Sequence, residues 1–257
     1  MRFREIFQLP VARIRDMLDL LLLIPAAKTT GLLIKLTRRG RTSVFPAREF
    51  PWTAELAANW QVMRRELERV LVDDAKIPRF RQVHELYTSV EPWKTYFLWG
   101  YGFRVDRNCA QCPETARLIE KVPEMTSAMF SILPPGTKIP PHVGIYNGVL
   151  RYHLGLFVPE PERCAITIAG RVIHWREGED FVFDNLYEHD AKNEGERPRV
   201  VLFLDFVRPL PMGLAALNRW VVKRIAKTRT ILESRQNLDA FYAQFDAPAA
   251  ASTRMPR

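Results

Sequence analysis

The sequence is short of several things, and each shortage narrows what it can be. It has three cysteines in 257 residues. That is an odd number, and no secretory signal precedes them, because the apolar stretch from Met17 to Ile24 lacks a small-residue cleavage site after it. This argues against a disulfide-stapled scaffold and leads us to expect a reducing, cytoplasmic setting. Cys109-Ala-Gln-Cys112 has the spacing of a zinc or redox pair. A zinc site needs two more ligands, however, and only Cys164 remains as thiol, so the pair reads as two ordinary cysteines before a short helix. Long apolar runs are also missing: Pro25, Lys28 and Lys35 interrupt the continuation to Leu36, short of the roughly 20 apolar residues that a membrane-spanning helix needs. No repeat of 20 to 50 residues is visible, which argues against solenoids and propellers. Histidine is scarce, with five in all (His84, His142, His153, His174 and His189).

What is present is charge, and it is unevenly placed. The formal net charge is +9. Residues 1–48 hold ten basic side chains against three acidic ones, residues 212–235 hold six against one, and the remainder is net negative. Basic flanks around an acidic body point to an anionic partner at the ends of the chain. No nucleic-acid motif accompanies the charge, so the expected partner is a membrane surface. Residues 1–48 are expected to form a basic amphipathic segment lying on the bilayer, an interfacial helix pair with Arg38, Arg39 and Arg41 at the headgroups. Leu214, Leu217, Val221, Ile225, Thr228 and Leu232 predict a second amphipathic helix, in a C-terminal segment 211–257 whose tail after Phe245 reads as disordered.

Between the flanks, residues 49–210 read as one domain. Thr53 can cap a long helix over 51–73, in which Leu56, Trp60, Met63, Leu67, Val70 and Leu71 recur at helical spacing. The pattern loses its period between 74 and 100, and a short helix follows from Cys112 to Glu120 or Lys121. After Met125 the chain turns to short β-branched and aromatic runs separated by Pro, Gly and Asn. These give candidate strands at 126–133, 137–142, 148–158, 163–169, 171–175, 180–184, 187–191 and 199–207. The expected fold is mostly β with flanking helices: a double-stranded β-helix, or cupin-like jelly roll.

Four of the five histidines fall in this β region. His142 and His189 each stand at a strand end, where they can meet across adjacent strands and bind one metal, since imidazole suits Fe(II), Zn(II), Cu(II) or Ni(II). In the strand after Gly148, a period of two puts Val149, Arg151, His153 and Gly155 on one face and Leu150, Tyr152, Leu154 and Leu156 on the other. An arginine and a histidine on a buried face call for an anion. Arg199 opens the last strand and offers a planar fork for a carboxylate. Metal ligands beside such arginines imply a small acid bound next to the metal. Asp184, Glu188 and Asp190 read as surface or turn residues.

Phe130-Ser-Ile-Leu-Pro-Pro-Gly-Thr137, His142-Val-Gly144, Leu150-Arg-Tyr-His-Leu-Gly-Leu156, Trp175-Arg-Glu-Gly178, Phe183-Asp184, Glu188-His189 and Arg199-Val-Val-Leu-Phe resemble the aspartyl/asparaginyl β-hydroxylase family of 2-oxoglutarate oxygenases, over roughly residues 80 to 210. The resemblance implies Fe(II) on His142 and His189, which would be the catalytic centre, with 2-oxoglutarate and O2 as cosubstrates. It also implies that Arg199 and Ser131 anchor the distal carboxylate of 2-oxoglutarate, that His153 and Arg151 line the cosubstrate and substrate side, and that Trp93 walls the pocket. Gly144 stands where oxygenases generally carry a carboxylate ligand, and in this it agrees with the family, whose members often lack it. Val149 stands where protein-directed members tend to have a further arginine. The sequence looks more like the branch that hydroxylates the 2-position of acyl chains on lipid A or related membrane lipids at the cytoplasmic face of the inner membrane. Aspartyl or asparaginyl hydroxylation of a protein or peptide is the alternative within the class. A non-catalytic 2-oxoglutarate-binding sensor on the same barrel is the alternative outside it.

Overall fold

The alternating runs after Met125 form strands close to where their texture predicts them. The computed structural model describes residues 11–37, 39–84, 90, 92–144 and 146–246, with only the backbone described for 11–21 and 39. The expectations for Arg38 and for a disordered tail from 247 onward lie outside the described residues. Eleven strands are seen among the described residues: β1 (Val44–Phe45), β2 (Lys94–Gly100), β3 (Phe103–Arg104), β4 (Met125–Leu133), β5 (Lys138–His142), β6 (Val149–Phe157), β7 (Cys164–Ile168), β8 (Arg171–His174), β9 (Asp180–Phe183), β10 (His189–Asn193) and β11 (Arg199–Val207). They make two sheets, one of seven strands in the order β1-β9-β6-β11-β4-β2-β3 and one of four in the order β5-β10-β7-β8. This is the expected mostly-β jelly roll with flanking helices.

The period-two pattern decides what each face of the large sheet buries. Leu150, Tyr152, Leu154 and Leu156 of β6 join Val200, Leu202, Leu204 and Phe206 of β11 in the main core. The helices α2 (Thr53–Ala58) and α3 (Trp60–Leu71) cover that face with Leu56, Met63, Leu67 and Val70. Val201, on the other face, packs with Ile166, Ile168, Trp175, Phe183 and Ala191 between the two sheets. Further along, Phe203 meets Leu238, Phe241 and Tyr242 of α8 (Arg229–Asp246). The inner face of the large sheet is thus shared between the small sheet, which encloses the polar residues of interest, and a C-terminal helix.

Helices diverge from expectation more than strands do. The helix expected over 51–73 is two helices broken at Asn59, whose φ of −110° departs from helical geometry and whose Nδ2 donates to Glu55 O at 2.8 Å. Thr53 is the first helical residue rather than the cap, and its hydroxyl donates to Ala47 O at 3.1 Å. The period-free stretch contains a short α4 (Phe80–Val83) as well as β2. Ahead of the expected α6 (Pro113–Ile119) lies α5 (Asp106–Gln111). The N-terminus of α6 is held by buried Glu66 of α3, which accepts from Glu114 N at 3.0 Å and from Thr115 N at 2.8 Å, as suits a carboxylate at a helix start. Cys109 and Cys112 are buried free thiols, pushed up to about 11 and about 12 by burial, as ordinary core cysteines would be. The C-terminal amphipathic pattern is also two helices, α7 (Met212–Ile225) and α8. At the other end, a single helix α1 (Val11–Leu36), with Pro25 inside it, stands where a helix pair was expected. Among the described residues no helix is long and apolar enough to cross a membrane.

Asp184 corrects the sequence reading in one respect. It does make a turn, accepting from Leu186 N at 3.0 Å, but it is buried, and its other oxygen pairs with the equally buried Arg208. Arg208 Nε also donates to Asn147 O at 2.7 Å. One ion pair therefore joins the end of β11 to both the loop after β5 and the loop before β10. Removing one partner of a buried pair strands the other charge. Asp184→Ala is accordingly expected to lower stability by about 3 to 5 kcal/mol in denaturant titrations. The double variant Asp184→Ala/Arg208→Met is expected to recover a large part of that loss.

Candidate active site

Antiparallel pairing of β5 with β10 sets His142 directly opposite His189. The two rings lie 4.1 Å apart, centroid to centroid. Each Nδ1 sits 2.9 Å from a backbone carbonyl, that of Pro140 for His142 and that of Tyr187 for His189. A carbonyl can only accept, which assigns the ring proton to Nδ1 and leaves the Nε2 lone pair of each ring available to a metal. Nε2 of His189 is buried without a hydrogen-bond partner. Burial lowers the pKa of both rings, His189 to about 3 with the Arg151 charge assisting, so both are neutral ligands at ordinary pH. Two neutral imidazoles on paired strands, their rings 4.1 Å apart and one Nε2 orphaned in the protein interior, fit a divalent transition metal.

No third His, Cys, Asp or Glu completes a metal-sized cluster with them among the described residues. Gly144 shows why the usual carboxylate is missing. A Cβ at that position would stand 2.6 Å from the side chain of Asn185, and Gly144 N donates to Asn185 O at 2.6 Å. Asn185 fills the space that a longer residue at 144 would require. Its Oδ1 is itself buried and unpartnered.

Arg199 lies at the far end of β11 from Val207. It is buried, stacks over the Trp175 ring at 4.2 Å, and donates from Nη1 to Ser131 O at 3.3 Å. Its Nε has no partner, and no carboxylate among the described residues pairs with it. Burial alone pulls its pKa down to about 10, a direction that reflects the cost of a lone interior cation. Ser131 of β4, paired with Val201 of β11, accepts from Trp93 Nε1 at 3.0 Å. Its own hydroxyl proton remains to be donated. Trp93 is held in place by stacking on Phe80 at 4.1 Å.

His153 links the two ends. Its ring is packed among Trp175, Phe181, Phe183 and Phe203, and Phe183 in turn touches His189. Desolvation, then the charges of Arg151 and Arg199, hold its pKa well below the usual imidazole range. Trp175 Nε1 approaches Nδ1 at 3.4 Å, which puts the proton on Nε2, a buried donor with no partner. Arg151, by contrast, has found its anion. It makes a two-pronged pair with Asp205 across the strand, at 2.8 and 3.0 Å, over the face of Phe203. Val149 is buried against Leu23, Tyr146 and Val207.

The structure thus brings together His189, His153, Arg151 and Arg199 between the sheets, with His142 at the exposed rim opposite His189 and with Ser131 and Trp93 beside Arg199. Reading the sequence missed Asp205, Trp175, Asn185 and Arg208. The first two carried a signal: an aspartate facing inward at period two from Arg199, and a tryptophan in a motif already noted. Asn185 and Arg208 could not be placed without knowing which loops meet.

A family model described as aspartyl/asparaginyl beta-hydroxylase matches residues 57–209. The ornithine lipid ester-linked acyl 2-hydroxylase of Rhizobium tropici is 39% identical over 232 residues, covering 88% of this chain and 82% of that protein. The human aspartyl/asparaginyl beta-hydroxylase is 35% identical over 159 residues, 60% of this chain but only 21% of that much longer protein. Among solved structures, a Pseudomonas putida prolyl-4-hydroxylase aligns with 59% of this chain and 88% of its own, at 15% identity and a TM-score of 0.39. On the family match and the long, well-covered alignment with a bacterial relative, this chain belongs to the aspartyl/asparaginyl β-hydroxylase family.

Proposed function

We propose that the protein is an Fe(II)- and 2-oxoglutarate-dependent hydroxylase acting at the 2-position of an ester-linked acyl chain on a membrane lipid. The observation that carries this reading is the unpaired, buried Arg199 in the same inter-sheet space as two neutral imidazoles with free Nε2 lone pairs. A buried cation that no carboxylate among the described residues neutralises, in the same space as imidazoles with free Nε2 lone pairs, fits a chelating diacid. His142 and His189 would hold the iron. The Arg199 fork and the Ser131 hydroxyl would take the distal carboxylate of 2-oxoglutarate, and the Nε2 proton of His153 would donate to another of its oxygens. When bound, this set supplies a two-electron oxidation in which the diacid loses CO2 to become succinate, one atom of O2 enters it and the other enters a C–H bond of the substrate. The protein's part is to orient the acyl chain and keep water out, which the Phe181, Phe183, Phe203 and Trp175 rings around His153 suit.

Two features favour a lipid over an acidic side chain as substrate. Arg151 is neutralised by Asp205, and the position two residues earlier is a buried valine rather than a cation. The similarity to an ornithine lipid hydroxylase supports an ester-linked chain on such a lipid ahead of lipid A. Its membrane location would be the cytoplasmic face of the inner membrane.

Purified protein given Fe(II) and ascorbate is expected to convert 2-oxoglutarate to succinate. His142→Ala is expected to bring this to background while changing stability by no more than about 0.5 kcal/mol, since His142 is exposed. Retained turnover in that variant would remove the metal assignment. Mass spectrometry should find one added oxygen on lipid acyl chains of the producing strain and not of a deletion strain; added oxygen on aspartyl or asparaginyl residues alone would transfer the assignment to peptides.

Gly144→Asp is not expected to create a working third ligand, because its side chain enters only if Asn185 leaves. It should cost about 1 to 3 kcal/mol in thermal unfolding. Adding Asn185→Gly should return most of that loss.

A further inference from the structure

Over residues 22–36 the outer face of α1 is apolar where a solvent-facing helix should be polar. Leu22, Leu32, Leu33 and Leu36 fall on one side of it by their helical spacing, and Leu22, Leu32 and Leu36 are 62%, 63% and 66% exposed. Pro25 and Thr29 complete the stripe and are also exposed. The opposite side is already used: Leu23, Thr30 and Ile34 are buried. Leu23, with Ala26 and Ala27, packs against Tyr146, Val149 and Val207 and against Val221 and Val222 of α7. The leucine stripe is therefore what remains after the helix has made its contact with the barrel. Lys28 and Lys35 are exposed and flank the stripe on one edge, and no carboxylate among the described residues pairs with either.

The seat of α1 adjoins the metal-ligand strand. Asn147 Nδ2 donates to Gly31 O at 3.1 Å, and Tyr146 Oη donates to Asn218 Oδ1 of α7 at 2.7 Å. This loop begins at His142 and passes through Val143, which is also exposed.

We infer that the Leu22–Leu36 stripe of α1 is a docking surface for an anionic bilayer, with the leucines at the acyl boundary and Lys28 and Lys35 at the phosphates. The helix lies in the membrane plane and carries the His142 end of the barrel to the lipid surface. This deepens the lipid-hydroxylase reading and rests on it for the substrate, though the surface itself stands on exposure and charge. A second copy is a poorer occupant, because a two-fold contact through this stripe would bring the flanking lysines of both copies together.

The three native thiols are buried, so a single exposed cysteine can be labelled selectively with an environment-sensitive fluorophore. Leu36→Cys reports on the stripe. Val72→Cys, at a position 87% exposed beyond the end of α3, is the control. With vesicles of mixed phosphatidylglycerol and phosphatidylcholine, the label at 36 should brighten and shift to the blue, and the label at 72 should not. The response should weaken in pure phosphatidylcholine and in high salt. Leu32→Ser/Leu36→Ser should reduce vesicle partitioning by at least about tenfold at an unchanged melting temperature. No response at 36, an equal response at 72, or a blue shift that grows with protein concentration in the absence of vesicles would overturn the proposal. The acyl-product assay separates the two readings. Insertion of the label with only peptide hydroxylation would preserve the surface and remove the lipid substrate; hydroxylation of detergent-dispersed lipid with a label that stays in water would do the reverse.

Discussion

A guanidinium buried without a counter-ion sets the terms for everything around it. Arg199 has given up water and gained one carbonyl contact, an aromatic face and, among the described residues, no carboxylate. Interior cations are tolerated when something pays for their desolvation, and within the fold nothing does so completely. The neighbouring polar atoms are in the same condition. Nε of Arg199 and Nε2 of both His153 and His189 are all buried and unpartnered. These groups lie in one inter-sheet space and ask for complementary things, an anion for the first two and a Lewis acid for the third. The metal-chelating diacid proposed above would answer all of them together. Arg151, by contrast, is paired to Asp205, so an inward arginine can be neutralised within this fold.

The barrel delivers these residues through strand register and through a few polar ties at its rim. Pairing of β5 with β10 fixes the separation of the two imidazoles. Pairing of β6 with β11 fixes His153 opposite Phe203 and Arg151 opposite Asp205. The strands alone would leave the connecting loops free, and the Asp184–Arg208 pair closes them. Asn147, held by Arg208, also bonds to α1, so the same tie that orders the loops beside His142 and His189 seats the helix with the leucine stripe. The proposed metal site and the proposed docking surface are in this way mechanically adjacent.

Much of this was legible in the sequence because β structure has a short, strict period. Alternation in 149–156 identified both faces of one central strand, and with them His153 and Arg151, while Arg199 stood out as a guanidinium opening a mostly apolar strand. Strand ends at Pro-Pro-His142 and Glu-His189 were marked by turn chemistry. The helices were less legible. Asn59 splits a continuous apolar pattern by a local side-chain bond that periodicity does not register, and residues 226–228 split the C-terminal pattern in the same silent way. The least legible features depend on loops meeting. Asp184 looked like a surface turn because its partner is 24 residues away, and the role of Asn185 becomes visible only when Gly144 is seen against it. Gly144 itself was readable as a departure from the facial carboxylate, but not as a position already occupied by a neighbour.

The central claim is that Arg199 is a buried cation kept for a bound diacid, and its most direct test is thermal unfolding of wild type and Arg199→Met, each loaded with Mn(II), with and without 2-oxoglutarate. The account predicts that wild type gains stability from 2-oxoglutarate. It also predicts that Arg199→Met is at least as stable as wild type without the diacid, since an apolar chain replaces an unpaired charge, and that it gains nothing when the diacid is added. An equal gain in both proteins would contradict it.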